Sequence, residues 1–528
     1  MFSAAPFSAL PCSGSGTDVR VYMDAVFELS ASLTLKIFVA TAAGYATRPS
    51  DAVPNQPFKG VLQSYSFERS IMAGDIGRFA TGTGRLAISN ADGDYDFLPL
   101  SYAVDGRPIV VKIGRRDDAY DDAFPLAKLT AKNWNINTET IDIELVDYGY
   151  KLEVPMQPNV YGGSGGADGG ADLKGKRKPL AFGNALNVSP VFLVPGLLVY
   201  QLHDGPMQAI DAVYDRGVPL TLGADHADYA SLAAAGVAAG TYATCLAEGM
   251  FKLGSAASGE VTADVRGDNA DGYLTTTADI VRWAIRRRTA LSDPDDLHVA
   301  SFDAVNAAQA APISYFIGSD DSLTVAGFVE RLMSGIGGWG GHRLDGTFQV
   351  KIFRAPAGDP AARFTRDDMM GGDIRREPLP EAYQPPRWRW RVAYGRCWTR
   401  QTDLAGAVTA ARKAFVAEDY RLAEASSQTI LTDHPFAQDR EPVQSWFVDE
   451  ADAAAEAVRL IELFKTTRAI YRMTLPRRAL RRELGDVIHV THNRFDLRQG
   501  RLMVVLEHSA SVNFATDAVD NVEVAAYG

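Results

Sequence analysis

The segment between residues 161 and 178 contains the spacing of a phosphate-binding loop. Gly170-Ala-Asp-Leu-Lys-Gly-Lys176 matches the pattern Gly-x4-Gly-Lys, in which main-chain N–H groups would surround phosphate oxygens. In such loops a Ser or Thr follows the lysine to bind magnesium, and a buried strand precedes the glycines. Arg177 stands at the Ser/Thr position, and no apolar strand precedes Gly170. We therefore expect a polar loop without a nucleotide.

A second segment has oxygen ligands at the spacing of a calcium loop. Four of its side chains alternate as EF-hand ligands do, namely Asn90, Asp92, Asp94 and Asp96. An EF-hand requires Gly where Tyr95 stands and a bidentate Glu where Ser101 stands. The pattern therefore predicts a polar turn and no calcium site.

Three histidines near the C-terminus are the other possible metal ligands. His489 and His492 lie three residues apart at the end of an apolar strand, and His508 follows. Residues three apart on a strand point to opposite faces, so shared ligation would need a distorted turn. We expect no metal at these histidines.

The candidates for covalent catalysis are equally weak. The three cysteines, Cys12, Cys245 and Cys397, include no Cys-x-x-Cys pair, and Cys397, beside Trp398, lacks the surroundings of a cysteine protease. Nothing nominates a serine on a nucleophile elbow. Because 65 acidic residues must place some carboxylates in pairs, such pairs alone do not indicate a glycosidase. The sequence predicts no catalytic, cofactor-binding or metal-binding residue, and a protein that is not an enzyme.

Charge and composition restrict the function classes further. The chain has 53 Lys and Arg against 65 Asp and Glu, a formal net charge of −12 at pH 7. Such a protein does not neutralise phosphates, so we expect no retention of duplex DNA at about 0.15 M salt. The odd number of cysteines suits a reducing cytosol. No segment has the basic start of a secretory signal or the roughly 20 apolar residues that span a bilayer, so we expect no stable membrane insertion.

Alternating apolar residues predict that most of the chain is β. Ile141, Ile143 and Leu145 alternate with Asp142 and Glu144, which is the period of a half-buried strand. Helices are expected at three places: near 276–288, where Thr276 and Asp279 form a capping box, near 325–334, and near 450–468, where acidic residues begin the helix. The predicted fold class is mainly β with α/β elements, in several domains.

Shifts in composition predict the domain boundaries. We expect an N-terminal arm (1–54), a first tube-like barrel (55–160), a Gly-rich linker (161–178), a peripheral β-rich module (179–272), a small α/β module (273–372), a connector of β and irregular structure (373–448), and a helix with a second barrel (449–528).

The two predicted barrels end in similar sequences. Ile143-Glu-Leu-Val-Asp-Tyr-Gly149 and Val522-Glu-Val-Ala-Ala-Tyr-Gly528 share a β-branched residue, Glu, an aliphatic residue, two free positions, Tyr and Gly. Each follows an apolar strand at nearly the same distance, Ile109-Val-Val111 in one case and Val487-Ile488 in the other. We expect equivalent strands in two related barrels, each Tyr closing a barrel end and each Gly permitting the turn beyond it.

Three stretches of sequence resemble the hub proteins of tailed bacteriophages and prophages. They are Tyr45-Ala-Thr-Arg-Pro-Ser-Asp-Ala-Val-Pro54 with Phe58-Lys-Gly-Val-Leu62; Gly84-Arg-Leu-Ala-Ile-Ser-Asn-Ala-Asp-Gly93 with Tyr95 and Asp96; and Leu484-Gly-Asp-Val-Ile-His-Val-Thr-His492 with Gly500-Arg-Leu-Met-Val-Val505. They cover both ends of the chain, whereas 160–445 matches only in general layout. These stretches are turns and strands, so the resemblance supplies no catalytic residue.

The resemblance implies a structural protein of the virion, at the tail tip or baseplate, assembled in the bacterial cytoplasm. Such a hub is a homotrimer whose duplicated barrels form a pseudo-sixfold ring. The ring would join a sixfold tail tube or distal tail ring to a threefold tip and form part of a gated channel for DNA ejection. The implied partners are the tube or distal tail protein, the tape-measure protein, and fibre or spike proteins, with DNA only as passing cargo. Some relatives hold an iron–sulfur cluster on grouped cysteines, which this sequence lacks.

Two other functions remain open from the sequence. One is a tail-associated cell-wall hydrolase or peptidase, which a cell-wall degradation assay would reveal. The other is a tail module that binds a host receptor or glycan, for which the 175–270 segment is the candidate.

Overall fold

The computed structural model describes residues 19–29, 33–41, 44–72, 79–115, 118–380, 383–513 and 518–528. Within these ranges the protein is mainly β with α-helices beside the sheets, as predicted. The N-terminal part contains β1 (Val19–Leu29), β2 (Leu33–Ala40), β3 (Tyr45–Ala46), β4 (Pro57–Phe58), β5 (Leu62–Ser70), β6 (Ala80–Ser89), α1 (Leu98–Ser101), β7 (Arg107–Arg115), β8 (Phe124–Ile136) and β9 (Thr140–Val146).

The middle of the chain forms a β-rich module followed by an α/β module. The first contains β10 (Leu180–Val188), β11 (Val191–Val194), β12 (Val199–Gln201), β13 (Met207–Asp215), β14 (Val218–Pro219), β15 (Thr221–Asp225), α2 (Tyr229–Ala234), β16 (Thr241–Cys245), β17 (Met250–Leu253) and β18 (Val261–Asp268). The second contains α3 (Thr277–Arg288), α4 (Val299–Ala308), β19 (Ser314–Ile317), α5 (Val325–Ser334), β20 (Gly338–His342), β21 (Phe348–Ile352) and β22 (Ala362–Thr365).

The C-terminal third combines short elements with long strands. It contains β23 (Ile374–Glu377), β24 (Arg389–Tyr394), α6 (Ala410–Ala417), β25 (Arg421–Ser426), α7 (Gln428–Asp433), α8 (Glu450–Phe464), β26 (Ile470–Leu475), β27 (Val487–Thr491), β28 (Arg501–Asn513) and β29 (Ala518–Tyr527). The three helices predicted from sequence correspond to α3, α5 and α8. Thr276 caps α3 as expected, because its side chain accepts a hydrogen bond from the Asp279 N–H.

Strand order repeats between the two ends of the chain. In the first unit (β5 to β9), β7, β8 and β9 form an antiparallel meander, β9 also pairs with β6, and β6 pairs with β5. In the second unit (β23 and β26 to β29), β27, β28 and β29 form the same meander, β29 pairs with β26, and β26 pairs with β23. The two similar sequences occupy equivalent strands: Ile143 pairs with Leu86, and Val522 pairs with Leu475.

The two units join edge to edge in one 13-stranded sheet. Ser64–Ser70 of β5 pairs with Glu507–Asn513 of β28, while the opening residues of β28 pair with β27 along the same edge. β28 is 13 residues long, so its first residues can pair with β27 and its last residues with β5. Within the described residues the sheet path runs open from β2 to β23, so the two separate barrels expected from sequence are instead two halves of a single sheet.

The ends of the two similar sequences differ from the expectation. β9 ends at Val146, and Tyr148 lies in a 3-10 turn, whereas Tyr527 remains inside β29 and is fully buried. Neither Gly149 nor Gly528 has a positive φ, so neither is needed for a left-handed turn. The equivalence therefore lies in the strands and not in the Tyr-Gly ends.

The β-rich module contains a smaller duplication that the sequence analysis missed. β11 and β12 are joined by a 3-10 turn that ends at Leu198, and β16 and β17 by one that ends at Gly249. Both of these residues are left-handed, with φ of 58° and 63°. The two hairpins pair through β12 and β17. The predicted linker, 161–178, adds Tyr161 and Leu173 to the core of this module.

One hydrophobic core runs through most of the protein. It contains side chains of both units, of α3 and α5, and of α8. β22 pairs with β27, and β23 pairs with β26, so the second unit takes strands from residues assigned by sequence to the α/β module and the connector. The shared core and shared strands fix the units against the modules between them.

Candidate functional site: the exposed face of the shared sheet

Alternation along the strands gives the large sheet one apolar and one polar face. In β9, Ile143 and Leu145 are buried while Glu144 is exposed. In β29, Val522 and Val524 are buried while Glu523 is exposed. The glutamates of the two similar sequences therefore lie at equivalent places on the same exposed face, since successive residues of a strand point to opposite sides.

Register carries this polar face across the join between the units. Thr83, Glu68, Ser509, Glu523 and Thr474 form one continuous row on β6, β5, β28, β29 and β26. A parallel row holds Glu144, Arg85, Ser66 and Ser511. Both rows consist of small hydroxyl side chains and charged side chains, without a large apolar side chain in either row.

Many charges of this face are neutralised by neighbours. Arg85 is 2.9 Å from Asp142, and in the second unit Arg472 bridges Glu377 and Glu507. Exposed pairs of this kind contribute at most about 1 kcal/mol each. Their effect is therefore on the local distribution of charge and not on stability.

A groove of about 640 Å³ crosses the face at the join. Residues of both units line it, including Glu68, Arg472, Glu507 and Glu523. Its polar lining and its position over the junction make it a continuation of the face.

A buried ion pair lies beneath the groove and connects the two units. Arg69 of β5 donates from Nη1 to Glu483 Oε2 at 2.6 Å and from Nη2 to the Arg482 carbonyl at 3.0 Å. The other oxygen of Glu483 accepts the Leu344 N–H from the α/β module at 3.0 Å. The Arg69 side chain is only 1% exposed, so its guanidinium is removed from water and Glu483 is the carboxylate that compensates it.

Buried titratable groups differ between the units. Burial raises the pKa of Asp147, at the end of β9, to about 6, although the Gly82 and Gly149 N–H groups donate to its carboxylate. In the second unit, burial lowers the pKa of His508 to about 4, and its Nε2 lies 3.0 Å from the Ala479 carbonyl. Both groups have hydrogen bonds to main-chain groups.

The four calcium-spaced residues form a polar turn, as predicted. Asn90 donates to Asp96 at 2.7 Å, and its own side-chain oxygen accepts the Tyr95 N–H at 3.0 Å. Asp94 forms an ion pair with Lys59. The turn connects β6 to the short helix α1.

His492 and His508 of the three histidines have separate partners. His492 lies 3.1 Å from the Gly372 carbonyl and accepts the Arg494 N–H, while His508 is bound to Ala479 within the core. His489 is half-buried on β27. Among the described residues, no three His, Cys, Asp or Glu side chains are grouped so that they could hold a metal ion.

The remaining candidate segments are structural in their contacts. In the phosphate-loop pattern, Lys176 faces Asp320 at 3.4 Å, and Arg177 binds the Asp321 carbonyl. Cys245 and Cys397 are buried free thiols whose pKa values are raised by burial, and Cys12 lies outside the described residues.

One serine motif was passed over in the sequence. Gly162-Gly-Ser-Gly-Gly166 has the Gly-x-Ser-x-Gly letters of a nucleophile elbow. Ser164 lies in an irregular loop, and its hydroxyl donates to Asp168 at 2.7 Å. A nucleophile elbow needs a strand-to-helix turn that carries the serine and a histidine that accepts its proton. In the described part of the chain, Ser164 does not lie on such a turn, and its hydroxyl has no histidine as a hydrogen-bond partner.

No described helix is long and apolar enough to span a bilayer. The polar rows and the ion pair between Arg69 and Glu483 were not identified from sequence, because they depend on the pairing of β5 with β28 across more than 400 residues. The alternation of Ser64, Ser66 and Glu68 with apolar residues was the available signal for an exposed face on β5.

No family model matches the chain, and no curated protein matches it. Among solved structures, the chain is similar to a tail protein from Neisseria meningitidis MC58, with 8% identity, a TM-score of 0.41, and 90% of this chain and 93% of that chain covered. It is also similar to the 43 kDa tail protein of prophage MuSo2 from Shewanella oneidensis, with 9% identity, a TM-score of 0.37, and 96% of each chain covered. Prophage tail protein gp18 from Listeria monocytogenes EGD-e matches at 7% identity and a TM-score of 0.37, over 97% of this chain and 94% of that chain. All three of these neighbours are tail proteins, and two of them come from prophages.

Proposed function

We propose that the protein is a structural, non-catalytic hub of a phage or prophage tail. Three copies would form a ring at the distal end of the tail tube, at the tail tip or baseplate of the virion. The ring would join a sixfold tube or distal tail ring to threefold fibres or a spike. The sequence resemblance to tail hubs supports this role.

The repeated strand order is the observation that carries the proposal. Because β7-β8-β9-β6-β5 and β27-β28-β29-β26-β23 have the same pairing, one chain presents two similar surfaces. A closed ring of three such chains presents six similar surfaces around one axis. A sixfold ring can then dock on six similar units, which a threefold ring with single units cannot offer.

The polar face suits the wall of a channel for DNA. Its hydroxyl rows and paired charges offer few free cations to phosphates, so passing DNA would not be held. Glu144 and Glu523, at equivalent places, would repeat around the axis and add like charge to the wall. In this arrangement DNA is cargo, and the tape-measure protein would occupy the channel before ejection.

Native mass spectrometry of the full chain, alone and mixed with the hexameric tube or distal tail protein, tests the proposal. We expect three copies of this chain bound to six copies of the ring protein. A monomer that does not bind the ring, or six copies of this chain on six, would contradict the hub role. Release of soluble fragments from purified peptidoglycan by the same sample would instead support the hydrolase.

A further inference from the structure

The junction between the two units within one chain combines a strand contact with an ion pair. Ser64–Ser70 of β5 pairs with Glu507–Asn513 of β28, beyond the point where β27 stops pairing with β28. Beneath that contact, Arg69 of β5 binds Glu483, which lies in the connection from β26 to β27. Because the two units have the same strand order, each side of this junction has a counterpart elsewhere in the sheet.

The counterpart of β28 is β8, which is also 13 residues long. The pairing of β7 with β8 ends at Ala131, while β9 pairs with the other side of β8 as far as Ile136. In the described part of the chain, no strand follows β7 along that side of β8. β8 therefore lacks the neighbour that β28 has in β5.

The counterpart of β5 is β23, the last strand of the sheet. Register, followed from the two similar sequences through β6 and β26, places Ile374 of β23 at the position of Phe67 in β5. Arg376 of β23 therefore stands where β5 has Arg69. β23 pairs with β26 on one side, and no described strand lies on its other side.

The ion pair of the junction also has a counterpart, and its two charges are far apart in the sequence. Val110 of β7 is equivalent to Val487 of β27 by register. Glu483 lies four residues before Val487, and the nearest acidic residue to the corresponding place is Asp105, five residues before Val110. Asp105 and Arg376 are both exposed, and neither forms an ion pair with a described residue.

Apolar side chains accompany each of these two charges. The connection that carries Asp105 also forms α1, and in this segment Phe97 is 46% and Leu100 is 86% exposed. Arg376 lines a pocket of about 340 Å³ together with Leu379. Exposed apolar side chains beside a charge without a partner are typical of a surface that another protein covers.

We infer that the β23 edge of one copy binds β8 and the β6–β7 connection of a second copy of this chain. The contact repeats between chains the junction that is present within the chain, and Arg376 of one copy pairs with Asp105 of the next. Each copy offers one edge and receives another, so the contacts can close into a ring. The inference rests on the proposed hub, because it supplies the contact between neighbouring copies of its ring.

The repeat also fixes the register of this contact. Asn133 of β8 is equivalent to Ser509 of β28, and Ser509 pairs with Glu68 of β5. Glu68 is equivalent to Arg375 of β23. Asn133 of one copy should therefore lie opposite Arg375 of the next, with their Cα atoms about 5 Å apart.

Disulfide formation tests this register in the full chain. Asn133→Cys and Arg375→Cys are made in separate chains with different tags, both in a Cys12→Ser background, since the other two cysteines are buried. Oxidation of the mixture should link one chain of each kind, and neither variant alone should form the link. Glu144→Cys is the matched control: Glu144 lies one strand further from the edge, about 10 Å from Arg375 and beyond the roughly 7 Å that a disulfide spans.

Exchange of the two charges tests the ion pair. Arg376→Asp or Asp105→Arg alone places like charges together and should weaken the association of the full chain about 30-fold or more in sedimentation equilibrium. The double variant, Arg376→Asp with Asp105→Arg, should recover most of the association. Leu100→Asp should also weaken association, whereas Leu222→Asp, at an exposed position of β15, should leave it unchanged.

The outcomes separate this contact from the hub role. The absence of a mixed disulfide, both for the chain alone and for the chain assembled on the tube or distal tail protein, would overturn the contact even if three copies are found on the ring. A double variant that associates no better than the single variants would overturn the pairing of Arg376 with Asp105. A mixed disulfide in a chain that does not bind the ring protein would contradict the hub and support the contact.

Discussion

The two units share a strand order but differ in what is inserted between their strands. In the first unit β5 and β6 are separated by only nine residues, whereas in the second unit β23 and β26 are separated by residues 378–469, which include β24, β25 and α8. The inserted helix α8 packs on the core and provides the Leu463 carbonyl that accepts the Tyr527 hydroxyl. The strand pairing is thus the same in both units, although the connection between β23 and β26 contains a long insertion.

The ends of β9 and β29 show how a single residue changes such a repeat. Asp147 stands where the second unit has Ala526. Its carboxylate binds the Gly82 and Gly149 N–H groups and turns the chain into a 3-10 helix. With Ala at that position, β29 continues to Tyr527. The strand positions are therefore equivalent, and the side chains at their ends determine whether the strand continues or a 3-10 helix follows.

The largest expected effect concerns the contact that holds the two units together. Glu483→Ala leaves the buried Arg69 guanidinium without its carboxylate and should reduce the free energy of unfolding by about 3–5 kcal/mol. Urea denaturation followed by tryptophan fluorescence measures this change. Glu523→Ala, at an exposed site in the second unit, is the matched control and should stay within about 0.5 kcal/mol.

A second variant separates charge from packing at the same place. Arg69→Met combined with Glu483→Leu removes both charges and should recover most of the stability lost in Glu483→Ala. If Glu483→Ala has no more effect than Glu523→Ala, the two units are held by their strands alone.

One buried titratable group in each unit should respond to acid, and the two should change the stability of the protein in opposite directions. His508 protonates near pH 6.5 in the unfolded chain but only near pH 4 when folded, so the unfolded state binds more protons and stability falls as pH falls through this range. Asp147 has the reverse sign, since the folded state takes up its proton near pH 6 and the unfolded chain near 3.8. Each contributes about 1.4 kcal/mol per pH unit within its range.

Two variants measure these contributions separately. His508→Gln should reduce the loss of stability between pH 6.5 and pH 5 by about 1.5 kcal/mol, and Asp147→Asn should increase the loss between pH 6 and pH 5 by about 1 kcal/mol. Urea denaturation at these pH values gives both numbers. Equal pH profiles for both variants and the unaltered protein would show that neither group titrates differently on folding.

The smallest expected effect on the free energy of unfolding concerns Tyr148 and Tyr527, which stand at matching positions of the two similar sequences. Tyr527 is buried, donates to the Leu463 carbonyl at 3.3 Å and accepts from Arg468, so Tyr527→Phe should cost about 1–2 kcal/mol. Tyr148 is half-buried and lies under Lys151, so Tyr148→Phe should cost less than about 0.5 kcal/mol. Equal losses in thermal or urea denaturation would mean that the tyrosines are equivalent after all.

Local patterns in the sequence predicted the elements well. The alternation around Ile143 placed β9, the capping residues Thr276 and Asp279 placed the start of α3, and the similar sequences at Gly149 and Gly528 marked equivalent strands. Each of these depends on neighbours within a few residues, where periodicity and capping operate.

Long-range pairing could not be predicted in the same way. The join of β5 with β28, the pairing of β22 with β27, and the bond from Arg69 to Glu483 depend on residues 100 or more positions apart. Alternation shows that a strand has an apolar face but does not say which strand lies beside it. For that reason two separate barrels were expected where one sheet is present.

The arrangement of the two units around an axis is the central claim, and electron cryomicroscopy of the full chain assembled on its tail tube tests it most directly. The account predicts three copies, in which first and second units alternate about 60° apart and bring Glu144 and Glu523 to the same channel wall. A ring in which only one of the two units faces the tube, or in which the units lie at different distances from the axis, would contradict it.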